Sequence, residues 1–368
     1  MSCIRQRSFV YSQFAGRVVF SAGAVRDVAA EVRRLGCRRV LVLSTPEQRG
    51  LAESVREQLA ELAVGLHDGA QMHVPVGVVR DAQAVATQLG ADGFITVGGG
   101  STTGLGKMLT LESGLPLLVI PTTYAGSEVT PLYGTTQDKA KTTGKNPAVL
   151  PKTVIYDPEL TLDLPLPVSL ASGMNAIAHA AEGLYAADLN PVIRLMALEG
   201  ISALARALPA LRDAPRDIGL RADCLYGAWL CGMVLANVGM GLHHKACHVL
   251  GGSFALPHAE MHAVMLPHAL AYNASAAAPA LASLSVALGG SGKAGDAPGE
   301  VFALLDLLRL PTALSALGMP EDGLDRAARR MVERPYPNPR PLEQARLRTL
   351  LDDAFHGRPP RIDVGSLS

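Results

Sequence analysis

Phe94-Ile95-Thr96-Val97-Gly98-Gly99-Gly100-Ser101-Thr102-Thr103-Gly104-Leu105-Gly106-Lys107 runs from a β-branched apolar stretch through three consecutive glycines into a helical pattern. A strand that ends in glycines and opens a helix lets backbone amides approach a phosphate closely, and the helix N-terminus adds unpaired N–H groups and its dipole. The spacing is not GxGxxG, because Thr103 stands where the last glycine would be, and it is not a Walker loop. A second polar turn, Pro121-Thr122-Thr123-Tyr124-Ala125-Gly126-Ser127-Glu128, follows the apolar run Leu117 to Ile120. Two such turns at the carboxyl ends of parallel strands predict the crevice in which doubly wound proteins hold nucleotides.

Working outward, Arg39 to Leu43 and Thr153 to Tyr156 read as further strands, and Leu51 to Leu62 has apolar residues at helical spacing. Strands that are continuous apolar runs separated by helices indicate a parallel sheet covered on both faces. Beyond Leu164-Pro165-Leu166-Pro167 the chain becomes Ala- and Leu-rich, with helical spacing from Ser169 onward and no convincing strand. The expected organisation is a Rossmann-like α/β dinucleotide-binding domain over 1–164 and an all-helical domain over 165–368. Gly289 to Pro298 reads as a surface loop and Arg334 to Pro341 as an extended segment before a last helix near Leu342 to Phe355.

Composition narrows the partners. The 368 residues carry 33 Lys+Arg against 33 Asp+Glu, so there is no electrostatic footprint for a nucleic acid or an anionic membrane. Five cysteines without CxxC spacing read as reduced thiols. Met1 to Gly23 breaks its apolar residues with Arg5, Arg7, Gln13 and Arg17, which is not a signal-peptide pattern. A cytoplasmic protein with a small ligand is the expectation.

Six of the ten histidines fall between His243 and His268. Asn175 and His179 stand four apart, which puts both on one helix face, and His244 and His248 repeat that spacing in His243-His244-Lys245-Ala246-Cys247-His248. His258 follows in Leu256-Pro257-His258-Ala259. Helical pairs plus a later imidazole have the makings of a divalent-metal site, since three imidazoles suffice for zinc.

These segments together resemble the iron-containing alcohol dehydrogenase superfamily and, within it, the maleylacetate reductases. The resemblance spans the GGGST turn, Pro121 to Pro131, Tyr156-Asp157-Pro158, Ser172-Gly173-Met174-Asn175-Ala176, HHKACHVLGG and Leu256 to Ala259. It implies a cleft between a dinucleotide-binding domain and a helical domain, and a homodimer. It also implies NAD(P)H-dependent reduction of the C=C bond of maleylacetate to 3-oxoadipate during breakdown of aromatic and chloroaromatic compounds, with chloromaleylacetate as a further candidate substrate.

On this resemblance Gly98, Gly99, Gly100, Ser101 and Thr102 meet the pyrophosphate, and Thr122, Thr123 and Ser127 flank the nicotinamide. Lys141 reaches the cofactor, and Thr45 lies near the adenosine ribose. Ser44-Thr45 stand where an NAD-selective site carries an acid, so NADPH is expected to serve beside NADH. His179, His244 and His258 match the family's three metal-binding histidines, and His248 matches one beside the nicotinamide. Asn175 replaces the aspartate ligand. A neutral amide leaves the charge of a dication uncompensated, and the resulting expectation is a vestigial site with no required metal. The donors that stabilise the enolate oxygen are then to be sought among His244, His258, Lys245 and Tyr124, and His243 and Lys245 supply charge for a dicarboxylate. The competing readings are a metal-dependent NAD(P) alcohol dehydrogenase, a dehydroquinate synthase-like lyase and a non-catalytic NAD-binding regulator.

Overall fold

A computed structural model describes residues 11, 16–137 and 140–362. Among these, six strands form one parallel sheet: β1 (Arg17–Phe20), β2 (Val40–Leu43), β3 (Ala63–His67), β4 (Gly93–Gly98), β5 (Leu117–Pro121) and β8 (Thr153–Tyr156), in the spatial order β1-β8-β5-β4-β2-β3. A separate antiparallel hairpin pairs β6 (Leu132–Gln137) with β7 (Ala140–Lys145). The four inner strands are buried throughout, as their unbroken apolar sequences require of strands covered on both faces. Helices α1 (Val28–Arg34) and α2 (Arg49–Leu59) cover one face around Val42, Ile95 and Leu118. On the other face α3 (Val76–Leu89) and α4 (Gly100–Ser113) pack around Leu41, Phe94 and Val119. The expected α/β class with a helical second half is borne out.

The chain reverses direction across the sheet between β2 and β4: β3 lies on one side of β2, and the chain then crosses to β4 on the other. The turns that leave β2, β4 and β5 therefore open on one rim, the switch point at which a parallel sheet leaves a crevice.

The prolines at 165 and 167 stop the preceding segment and start α5 (Leu166–Gly183), where proline is tolerated because the first helical N–H groups have no partner within the helix. From Ser169 to Gly183 every residue of α5 is buried, as expected of a helix apolar on all sides. It is surrounded by α6 (Pro191–Asp213), α7 (Ile218–Asn237), α8 (Leu242–Phe254) and α9 (His258–Asn273). Truncating Ile177, fully enclosed in this core, to alanine would cost about 2–5 kcal/mol. The remaining helices, α10 (Ala278–Ala287), α11 (Ala297–Leu307), α12 (Leu324–Val332) and α13 (Gln344–His356), complete the domain. By length and composition α7 is apolar enough to cross a membrane, but half of it is buried inside this domain, which is the behaviour of a core helix.

Candidate functional site in the interdomain cleft

The glycine turn is built for backbone rather than side-chain contact. Gly98 has φ +152°, and a Cβ there would stand 2.5 Å from Thr102 Oγ1 and 2.6 Å from Gln48 Oε1. Gly98 also accepts a hydrogen bond from the Thr122 N–H, which ties the turn after β4 to the turn after β5. Gln48 Nε2 donates to Thr122 Oγ1 at 2.6 Å and ties in the turn after β2. Gly98, Gly99, Gly100, Ser101, Thr122 and Thr123 are thereby brought to one rim at the start of α4. Thr102 is fully buried beneath it. Thr45 is half-buried at the end of β2, and the Glu47 backbone N–H, followed by the Thr45 hydroxyl, keeps the Glu47 carboxyl below its ordinary range. Glu47, two residues beyond Thr45, is an acid in the turn that leaves β2.

The turn 121–128 is clamped from two sides. Lys107, fully buried on α4, donates to the Ser127 carbonyl, to Thr130 Oγ1 at 3.0 Å and to the Leu132 carbonyl at 2.8 Å. On the other side Gly126, at φ +76°, meets Gly232 of α7 backbone to backbone; a Cβ on Gly232 would stand 2.8 Å from the Gly126 carbonyl oxygen.

In the helical half, α5, α8 and α9 bring five imidazoles together. His179 Nδ1 lies 2.9 Å from His244 Nε2, and His179 Nε2 lies 3.2 Å from Asn175 Nδ2. His244 Nδ1 lies 2.5 Å from Glu182 Oε2. Glu182 also accepts the backbone N–H groups of His243 and His244, at 2.7 and 3.2 Å. Burial alone would push the Glu182 carboxyl up, but its bonds to His244 and His243 outweigh that and hold it below its ordinary value. Ionised Glu182 accepts a hydrogen bond from His244 Nδ1–H, so His244 Nε2 keeps its lone pair. Burial, followed by the neighbouring imidazoles, holds His179 and His262 well below the ordinary histidine range and His243 at about 3. His262 stacks near His258, with ring centroids 4.4 Å apart, and lies 5.2 Å from His244. His248 is exposed, 6.4 Å from His244. The Ala125 backbone reaches the His179 ring, which brings the turn after β5 and the imidazoles into one cleft.

Several sequence expectations need correction. Tyr124 is fully enclosed; its hydroxyl accepts from Arg221 Nη1 at 3.2 Å and meets Thr161, and burial pushes it up to about 12. It faces the core and is no proton donor to the cleft. His243 is buried and uncharged, so it adds no positive charge for a dicarboxylate. Lys245 is half-buried, with Nζ 5.9 Å from the Tyr336 ring centroid. Lys141 lies on β7 opposite Thr136, and its side chain falls outside the described residues. Sequence reasoning missed Glu182, although it follows His179 by three residues on the same helix face; it also missed His262, Gln48 and Lys107.

Comparisons with known proteins agree with this geometry. A family model described as Iron-containing alcohol dehydrogenase matches residues 15–158, and one described as Fe-containing alcohol dehydrogenase family, C-terminal, matches residues 169–355. The chain is 55% identical over 353 residues to a maleylacetate reductase of Burkholderia cepacia, covering 96% of this chain and 99% of that one. The crystal structure of maleylacetate reductase from Agrobacterium tumefaciens is 52% identical with a TM-score of 0.92, covering 96% of this chain and all of that one. An iron-containing alcohol dehydrogenase from Corynebacterium glutamicum is 39% identical with a TM-score of 0.90, covering 95% and 98% of the two chains.

These matches overturn the expectation that no metal is required, because both halves of the chain fit families of iron-containing enzymes. The residues read as ligands fit an iron ion: Asn175 Oδ1 is buried without a hydrogen-bond partner, burial holds His179 unprotonated, and Glu182 orients His244 as an outer carboxylate orients a metal-binding histidine.

Proposed function

The chain belongs to the iron-containing alcohol dehydrogenase family, and from that membership we propose that it reduces the C=C bond of maleylacetate with NAD(P)H to give 3-oxoadipate. The observation that carries this reading is the Gly126–Gly232 backbone contact, which sets the turn read here as nicotinamide-binding against the helical domain that holds the imidazole cluster. The near-full-length likeness to maleylacetate reductases supports the choice of substrate.

The alkene is conjugated to a ketone. Hydride delivered from the nicotinamide to the carbon remote from the ketone produces an enolate, which then takes one proton. In this chain the glycine turn holds the pyrophosphate through backbone amides, and Thr122, Thr123 and Ser127 fix the nicotinamide end. Asn175, His179, His244 and His258 are the residues that would hold iron, which when bound supplies Lewis-acid polarisation of a substrate oxygen. His248, which is exposed, is the group positioned to pass a proton between solvent and the cleft. Lys245 meets one substrate carboxylate. The same reading makes the protein a cytoplasmic homodimer that also accepts chloromaleylacetate.

NADH oxidation with freshly prepared maleylacetate tests this, run beside an alcohol series and repeated after chelation and iron add-back. Turnover with maleylacetate is expected, lost on chelation and restored by iron. Activity confined to alcohols would overturn the reading.

A further inference from the structure

Arg221 is almost completely enclosed (1% exposed), and among the described residues it makes no ion pair. Its guanidinium instead spans four neutral oxygens from four segments. Nε donates to the Pro215 carbonyl at 2.9 Å ahead of α7, and Nη2 to the Leu164 carbonyl at 3.2 Å in the connection between domains. Nη1 donates to Ser169 Oγ at 2.7 Å on α5 and to Tyr124 Oη at 3.2 Å in the turn after β5. Burying a cation without an acid is costly unless every donor finds an acceptor. A planar fork with several fixed donors can meet that condition where a lysine ammonium cannot.

The placement of those acceptors has a consequence. Tyr124 lies within the turn that carries Thr122, Thr123 and Ser127, whereas Ser169 lies in the first turn of the helix that carries Asn175 and His179. The Gly126–Gly232 backbone contact fastens the same turn to α7 a second time. The turn belongs to the sheet domain by sequence, yet it is bolted to the helical domain.

We infer that Arg221 is a positioning residue that, through Tyr124, holds the nicotinamide turn at a fixed offset from the α5 ligand face. The inference rests on reading 121–128 as the nicotinamide turn. It assigns Tyr124 a role in cofactor placement in exchange for the proton-donor role that its orientation denies it.

The test uses purified full-length Tyr124→Phe, Arg221→Lys, Arg221→Met and the double variant Tyr124→Phe/Arg221→Met. NADH affinity is read by fluorescence titration, alongside KM, kcat and Tm. Tyr124→Phe removes one oxygen and preserves the ring. It should raise Kd and KM for NADH about three- to tenfold with kcat changed less than about threefold, since one hydrogen bond to a charged donor is lost. Arg221→Met should raise them by about tenfold or more, Arg221→Lys should fall between, and the double variant should be no worse than Arg221→Met. A Tm loss with Kd and KM for NADH unchanged would reduce Arg221 to a structural residue and overturn the inference. A kcat collapse of about a hundredfold in Tyr124→Phe with Kd unchanged would restore Tyr124 as a proton donor and overturn it equally. Should Arg221→Met fail to fold, Tyr124→Phe decides alone. If the wild type does not reduce maleylacetate, the functional reading falls, while the NADH titrations still decide the role of Arg221.

Discussion

Replacing Glu182 with glutamine changes one atom and should disturb four residues. Three donors converge on the two carboxylate oxygens: the backbone N–H of His243 at 2.7 Å, the backbone N–H of His244 at 3.2 Å and His244 Nδ1 at 2.5 Å. Glutamine offers one oxygen and two N–H groups, so its amide nitrogen must face a donor whichever way it turns. Facing His244, it forces the imidazole proton from Nδ1 to Nε2. That proton then points at His179 Nδ1, 2.9 Å away, so His179 must change tautomer too, and Asn175 must rotate to follow. Each charge-assisted bond lost is worth about 1.5–3 kcal/mol, so Glu182→Gln should cost about 3 kcal/mol and lower Tm by several degrees. It should also weaken metal binding about 10–100-fold, the usual effect of removing a group that orients a ligand histidine. Chemical denaturation gives the first quantity, and competition between the protein and a chelator for Fe²⁺ or Co²⁺ gives the second. Stability unchanged within about 0.5 kcal/mol, together with unchanged metal affinity, would refute the reasoning, because the tautomers would not then be set by Glu182.

Other positions give independent checks. Burial pulls the Lys107 ammonium down to about 7 from its ordinary 10.5, with the charge on Glu128 acting in the opposite direction. The unfolded chain therefore binds more protons between those values, so the contribution of Lys107 to stability rises with pH across that window and is lowest below it. The Tm difference between wild type and Lys107→Met should follow this slope, and a difference that is flat from neutral to alkaline pH would contradict it. Glu47→Gln should raise kcat/KM for NADPH relative to NADH about threefold, the scale of an exposed charge; an unchanged ratio would separate Glu47 from the ribose corner. Gly232→Ala puts a Cβ against the Gly126 backbone, which cannot move aside. About 1–3 kcal/mol of destabilisation and a raised KM for NADH are expected, and wild-type values for both would show that the turn is not fastened there.

The central strands and the glycine turn were readable because residues such as Ile95, Leu118 and Ile155 are buried on a sheet covered from both sides, where apolar runs are uninterrupted. The edge strands were not. β1 begins with exposed Arg17, β3 (AVGLH) is half-buried and broken by Gly65, and the hairpin strands LYGTTQ and AKTTGK are polar with little alternation. In the cleft, helical spacing was enough to pair Asn175 with His179. Glu182 sits on the same face, but a glutamate on a helix is ordinarily solvated, and only the packing of α8 against α5 turns it into an anchor. His262 required knowing that α9 lies against α8. Tyr124 was misread because a turn sequence places a residue at the rim of a cleft without fixing whether its side chain points into the cleft or into the core beneath.

The suppressed basicity of the buried imidazoles bears on how the site acquires its ion. A histidine site on a protein surface must release protons to take up a metal, so its affinity falls away as the solution becomes mildly acidic. Here His179, one of the proposed ligands, is already proton-free at neutral pH because the interior and the neighbouring imidazoles disfavour its charged form. Metal uptake at His179 should therefore liberate no acid near neutral pH, leaving entry through the cleft, rather than competition with protons, to control how this ligand is loaded.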